Sequence, residues 1–221
     1  MLQQYKIYMP DMDAQSLPLI QGELDEFAKI CSPKRQQEYR ASKWLRRTKL
    51  SEILEIPPES LIFDKTEQGK PFCVSHPEIH FNLSHSGNWV VMAVSDQPIG
   101  VDIETPNPKR NIMAIAEHYF LPEEVKIIRS SKDALDMFYK LWTLKEAYVK
   151  ATGEGIVSGL SKCGFEMLDG KLKPMQDLSP YQFTQEVLED GTYLALASVK
   201  NLSVNKISVD LNITDSSQKR V

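Results

Sequence analysis

The apolar positions of this chain fall into two periods that alternate along its length. Short runs with strand character occur at residues 5 to 9, 61 to 64, 79 to 83, 89 to 94 and 99 to 104, separated by turn-forming "EQGKP", "HSGN" and "SDQP". Helical periodicity covers 16 to 30 and then a long segment with Ser32 as N-cap and Pro33 in the first turn, closed by Pro57 and Pro58. After "TPNPKR" it returns at 111 to 129, with a break near Pro122, and at 133 to 152, ending at Gly153. Strands are predicted near 163 to 167, 181 to 188, 192 to 199 and 205 to 210, and the last six residues, "SSQKRV", read as a polar tail. The second half thus repeats the plan of the first, helices followed by antiparallel strands, without a residue-level repeat.

Composition changes this picture little. The chain has 221 residues, 42% of them hydrophobic and 25% charged, as in a globular protein with a buried core. The longest apolar run, "WVVMAV", has six residues, and "MLQQYKIYMPDMD" holds no apolar block of signal-peptide length. Both features argue against secretion and membrane spanning. Cys31, Cys73 and Cys163 are widely spaced, which favours reduced thiols in a cytoplasm over a disulfide framework or a zinc site.

Charge is more informative. A net charge of −4 argues against a general nucleic-acid binder, yet seven bases (Lys34, Arg35, Arg40, Lys43, Arg46, Arg47, Lys49) stand against one acid, Glu38, between residues 34 and 49. That segment is either a solvated helix face or the seat of an anion.

Within "IGVDIE", residues 99 to 104, strand geometry turns Asp102 and Glu104 to one face and Val101 and Ile103 to the other. In "LWTLKEAYVKATGEG", helical geometry puts Trp142, Glu146 and Val149 or Lys150 on one face. Glu146 and Lys150 alone could be a surface ion pair worth about 0.3–0.5 kcal/mol. "FNLSHSG", at 81 to 87, carries Ser84 and His85 into a glycine turn. A Ser-His nucleophile is disfavoured there, because neighbouring strand residues face opposite ways and no Gly-x-Ser-x-Gly elbow is present. Asp102, Glu104 and Glu146 together have the chemistry of a magnesium site, since magnesium takes carboxylate and phosphate oxygens. Lys145, Lys150, His85 and the basic helix could then neutralise a diphosphate substrate.

"GKPF" at 69 to 72, "FNLSHSGNWVVMAVSDQPIGVDIE" at 81 to 104 and "WTLKEAYVKATGEGI" at 142 to 156 resemble, in order and spacing, the three signature blocks of the 4′-phosphopantetheinyl transferases, in the monomeric surfactin-type branch. The resemblance implies an α+β fold, a pseudo-twofold pair of similar halves (1–101 and 102–221), each with helices on a mostly antiparallel sheet and coenzyme A bound between them. It also implies the reaction, transfer of phosphopantetheine from coenzyme A to a serine of an apo acyl or peptidyl carrier protein, releasing 3′,5′-adenosine bisphosphate. Carried over by position, it makes Asp102, Glu104 and Glu146 the Mg2+ ligands. Glu146, directly or through a metal-bound water, would accept the serine proton, and Lys150 would stabilise or protonate the leaving phosphate, with Lys145 near the same diphosphate. Ser84 and His85 would hold the nucleotide, His85 at the 3′-phosphate. Lys70 and Pro71 would flank the adenine, and Arg47, Thr48 and one of Lys34 and Arg35 would serve the phosphates. Two other classes fit the same acids: a magnesium-dependent phosphohydrolase acting on coenzyme A, and a non-catalytic carrier-binding module. The apolar stretch "RNIMAIAEHYFLPEEV" offers Met113 and Phe120 as carrier contacts.

Overall fold

The computed structural model describes residues 2–8, 17–155, 159–199 and 205–208, the first and last of these segments through their backbone. β1 (Leu2–Tyr8) is followed by α1 (Gln21–Phe27) and α2 (Pro33–Leu54). β2 (Phe63–Lys65) and β3 (Pro71–Cys73) form a hairpin, and β4 (His80–Ser86), β5 (Trp89–Ser95) and β6 (Ile99–Glu104) follow. Then come α3 (Ile112–Tyr119), α4 (Pro122–Ser130) and α5 (Ala134–Thr152). A second hairpin, β7 (Phe165–Leu168) with β8 (Lys171–Pro174), precedes β9 (Gln182–Val187), β10 (Tyr193–Ser198) and β11 (Asn205–Ser208).

The local signals act as their chemistry predicts. Ser32 Oγ accepts the Arg35 N–H at 3.5 Å to open α2, and Glu55, in the left-handed region, closes it before the two prolines. Pro122 separates α3 from α4, with the Glu124 carboxylate reaching back to the Leu121 N–H at 2.9 Å. Gly153, at φ 77°, stops α5. The helix predicted over 16 to 30 is shorter than its apolar pattern, because residues 18 to 20, which include Pro18, are not helical; residue 16 lies outside the described residues. β3 and β8, of three and four residues, are too short to show a period and were not predicted. Residues 209 and 210 and the polar tail lie outside the described residues.

The repeated plan is visible in the strand order. One sheet runs β11-β1-β5-β4 and the other β6-β10-β9, so β1-β5-β4 and β6-β10-β9 are equivalent antiparallel trios, each with a long helix and a hairpin inserted after its first strand. β5 and β10 are the central strands and are buried on both faces. Val90, Met92 and Val94 of β5 join the core beneath α2 with Ala41, Leu45 and Leu50. Tyr193, Ala195 and Ala197 of β10 join the core beneath α5 with Phe138, Leu141 and Val149. The opposite faces meet each other: Val91 and Ala93 pack with Leu194, Leu196, Ile99, Val101 and Ile103. The result is a helix-sheet-sheet-helix stack with the pseudo-twofold halves back to back. The predicted division between residues 101 and 102 falls inside β6.

Candidate active site

The seam between the halves is closed by side chains instead of a backbone ladder. β4 presents Asn82, Ser84 and Ser86 on one face, and β6 presents the N–H groups of Val101, Ile103 and, just past its end, Thr105. Asn82 Oδ1 accepts from Val101 at 2.8 Å, Ser84 Oγ from Ile103 at 3.4 Å and Ser86 Oγ from Thr105 at 3.0 Å. Three alternate residues of one strand thus hold the backbone of the next.

β6 turns Gly100, Asp102 and Glu104 toward α5. A Cβ at Gly100 would stand 2.0 Å from the Ala147 carbonyl oxygen and 2.4 Å from the Ala151 nitrogen, so only glycine lets the helix approach this closely. That approach brings the acids to Lys150 and Trp142. Lys150 Nζ lies 2.6 Å from Asp102 Oδ1 and 3.0 Å from Ser84 Oγ, which itself donates to Asp102 Oδ1 at 3.0 Å. Trp142 Nε1 donates to Glu104 Oε1 at 3.2 Å, and Arg110 stands 3.6 Å from Glu104 Oε2. Asp102 is buried and its Oδ2 has no partner.

The charges perturb one another. Burial, with repulsion from Asp102 and Glu104 and against the pull of Lys150, raises the Glu146 carboxyl to about 7. Burial and Asp102 raise Glu104 above the usual carboxylate range, with Arg110 and the Trp142 bond opposing. Burial works against the Lys150 ammonium, yet Asp102 and Glu146 outweigh it and hold this lysine above its ordinary value.

Beside the acids, a cavity of about 310 Å³ joins the two halves. Lys70 and Pro71, from the first hairpin, and Asn82 line one side; Lys150, Gly153 and Gly155 line the other. The three sequence blocks therefore meet in space. Lys70 does not extend freely into the cavity: its ammonium donates to the carbonyls of Ala151 at 2.9 Å and Ile99 at 3.4 Å, and burial lowers it to about 8. His85 faces away from Ser84, half-exposed, with Nδ1 3.4 Å from Glu38 Oε2. Burial lowers this histidine; Glu38 opposes that shift, and Lys150, Lys34 and Arg35 add to it. Lys34 and Arg35 are both exposed at the start of α2, and Lys34 lies 3.9 Å from Glu38.

Several predicted residues sit elsewhere. Lys145 is wholly buried, its ammonium 2.7 Å from Glu124 Oε2 and 2.5 Å from the Cys163 carbonyl, so it does not face the acids. Arg47 is also buried, donating to Glu23 Oε2 at 2.5 Å and to the Pro18 carbonyl at 2.6 Å. Thr48 is half-buried next to it. Ser84 has its hydroxyl engaged by Asp102, Lys150 and β6, which leaves it no free donor for a nucleotide. Phe120 is stacked on Phe138 and Trp142 with ring centroids 5.6 and 6.1 Å away; it is a core residue and not a carrier contact. Met113 is half-buried against the same core. Gly100, Asn82, Ser86, Glu124 and Arg110 escaped the sequence reading; the alternation Asn-x-Ser-x-Ser on β4 was the available signal for two of them.

Residues 98–197 match the model of the 4′-phosphopantetheinyl transferase superfamily, and residues 14–97 match that of the 4′-phosphopantetheinyl transferase N-terminal region. A 4′-phosphopantetheinyl transferase of Bacillus subtilis is 32% identical over 178 residues, 74% of this chain and 77% of its own. The chain belongs to this family. The Sfp enzyme of Bacillus subtilis strain 168 is 33% identical over 165 residues, 68% of this chain and 71% of its own, which agrees with the surfactin-type branch. The psf-1 transferase of Bacillus pumilus reaches 43% over 127 residues, 52% of this chain and 54% of its own, so that match spans about half of the relative's length. The two family models meet between residues 97 and 98, in the turn before β6.

Proposed function

We propose that this chain transfers the 4′-phosphopantetheine arm of coenzyme A to a serine hydroxyl of an apo acyl or peptidyl carrier protein, with magnesium as cofactor. The observation that carries the reading is the cavity that spans both halves at one seam of a chain of this family, with Lys150 in its wall bound to Asp102, Glu104 on the same face of β6 and Glu146 one turn before Lys150 on α5. Among the described residues no three His, Cys, Asp or Glu side chains converge as a metal cluster as they stand. The donor set nonetheless fits a hard dication: Asp102 Oδ2 is buried without a partner, and burial with repulsion from Asp102 and Glu104 raises Glu146 to about 7, a repulsion that a dication would offset. Asp102, Glu146 and Glu104 would hold magnesium, which when bound neutralises diphosphate charge and polarises its oxygens.

The protein's own groups then divide the remaining work. The serine oxygen forms a bond to the β-phosphorus as the bond from that phosphorus to the bridging oxygen breaks, and the electron pair leaves with 3′,5′-adenosine bisphosphate. Glu146, at about 7 without metal, would be brought down and ionised by a bound dication, and in that form could take the serine proton directly or through a water. Lys150, kept charged by Asp102 and Glu146, faces the negative charge that develops on the leaving phosphate. Lys34 or Arg35 offers a cation for the 3′-phosphate and His85 an imidazole N–H, while the Lys70–Pro71 turn offers a wall for the adenine. Both halves of the site lie in one chain, so the active species is a monomer. Among the described residues no helix is long and apolar enough to cross a membrane, and the reading places the reaction in the cytoplasm, away from nucleic acid and membrane. Incubation with coenzyme A, Mg2+ and a panel of apo carriers should add one phosphopantetheine to a carrier serine by intact-protein mass spectrometry. Coenzyme A consumed without a carrier would instead indicate the hydrolase, and tight binding without turnover the carrier-binding module.

A further inference from the structure

Arg110 lies in the loop between β6 and α3, outside every sequence block. Its Nη1 is 3.6 Å from Glu104 Oε2, and its guanidinium carbon stands 5.1 Å from the Trp142 ring centroid and 5.9 Å from that of Phe138. Glu104 thus has both oxygens engaged: Oε1 by the Trp142 indole, Oε2 by Arg110 and by the Ser86 hydroxyl at 3.5 Å. Asp102, on the same face of the same strand, differs in having one oxygen bare. The three acids face two cations, Lys150 and Arg110, and Glu146 has no hydrogen-bond donor among the contacts that engage the other two.

We propose that Arg110 is the resident counter-cation of Glu104: it holds that carboxylate while no dication is bound, and a divalent ion entering at Asp102 Oδ2 and Glu146 takes Glu104 from it. The inference rests on the cation reading given above. Its physical basis is a contact made to be released. At 3.6 Å the guanidinium is well beyond the 2.7–2.9 Å of a strong charge-assisted hydrogen bond, so little is lost when it moves. The guanidinium already stands over the faces of Trp142 and Phe138, contacts it can keep when it lets go of Glu104. The indole N–H stays on Oε1 throughout and keeps Glu104 oriented. Arg110 is therefore a positioning residue that acts through Glu104 and competes with the incoming ion. A merely structural arginine would leave ion affinity unchanged or lower it on removal; a competitor raises it.

The probe is Mn2+, titrated into the full chain without coenzyme A or carrier and followed by electron paramagnetic resonance. Arg110→Gln should bind Mn2+ about five-fold more tightly or better, the low end of ordinary coupling between two ligands. Arg110→Lys should fall between that variant and the parent. Lys109→Gln removes the same charge from the exposed neighbouring position and should bind as the parent does. Parent binding with unchanged or weaker binding by Arg110→Gln overturns the Arg110 inference and leaves the cation site standing. Equal tightening by Lys109→Gln overturns it too, since a long-range field and not a contact would be responsible. Mn2+ bound by none of these proteins overturns both the inference and the cation reading. Should circular dichroism show Arg110→Gln unfolded, Arg110→Lys decides alone, and parent-like affinity there overturns the proposal.

Discussion

Of the three lysines of helix α5, Lys140 pairs within the helix, with Asp136, whereas Lys145 and Lys150 each pair with a buried carboxylate from another element. Around Lys145 every polar group is matched. Glu124 Oε2 takes the ammonium and the Leu121 N–H, Oε1 takes the Phe165 N–H at 3.0 Å, and the Cys163 carbonyl takes a second ammonium proton. Both side chains are 0% exposed. Around Lys150 the matching is incomplete. The lysine is 25% exposed, Asp102 keeps one oxygen bare, and Glu146 one turn back is pushed to about 7. Burial of charge therefore does not mark the site in this protein. Unfinished satisfaction marks it: the first pair clips α4, α5 and β7 together, and the second retains capacity for something not in the chain.

The comparison breaks first at the structural pair. Lys145→Met leaves Glu124 charged and unmatched in the core and should cost about 3–5 kcal/mol in urea unfolding. Adding Glu124→Gln should recover much of that loss; a single variant within 1 kcal/mol of the parent would erase the distinction between the pairs. At the other pair the expected effects exchange. Asp102→Asn should reduce transfer to an apo carrier about a hundredfold to a thousandfold, with a smaller loss of stability than Lys145→Met, because the broken pair with Lys150 is offset by relief of the repulsion from Glu104 and Glu146.

The pH dependence of stability sharpens the contrast. Glu146 has a folded-state pKa of about 7, above its ordinary 4.5, so its burial costs nothing below 4.5 and a growing amount as pH rises toward 7. Metal-free protein should lose on the order of 2 kcal/mol between pH 5 and pH 8 from this group, and Glu146→Gln should lose that much less in paired urea titrations. The smallest expected effects separate Ser84 from His85. Ser84→Ala, which frees Asp102 and Lys150 from their shared hydroxyl, should lower kcat about tenfold with KM for coenzyme A nearly unchanged. His85→Ala should do the reverse, raising KM for coenzyme A and narrowing the preference over 3′-dephospho-coenzyme A. A rise in KM from Ser84→Ala with kcat intact would return Ser84 to the nucleotide.

Much of the fold was legible because its signals are local. A proline pair, a serine cap, a glycine stop and an alternation of apolar residues act within four residues of themselves, and they marked α2, α5, β5 and β6 in the sequence. The same locality placed Asp102 and Glu104 on one face and Glu146 one turn from Lys150. The short strands β3 and β8 gave no such signal, since three or four residues hold less than two periods of anything.

What the sequence by itself determined is the inventory and the facing of its chemical groups: which elements form, which acids and bases share a side, and which family's blocks are present. Only the tertiary structure decided their partners. The basic helix looked poised for an anion, but Arg47 meets Glu23, 24 residues away, and Lys145 meets Glu124, 21 residues away. Gly100 reads as an ordinary strand glycine until the backbone of α5 lies against it. The physical reason is that facing follows from backbone geometry over one turn or one pleat, whereas the charge that a side chain finally meets depends on chain segments brought together by the burial of apolar surface elsewhere.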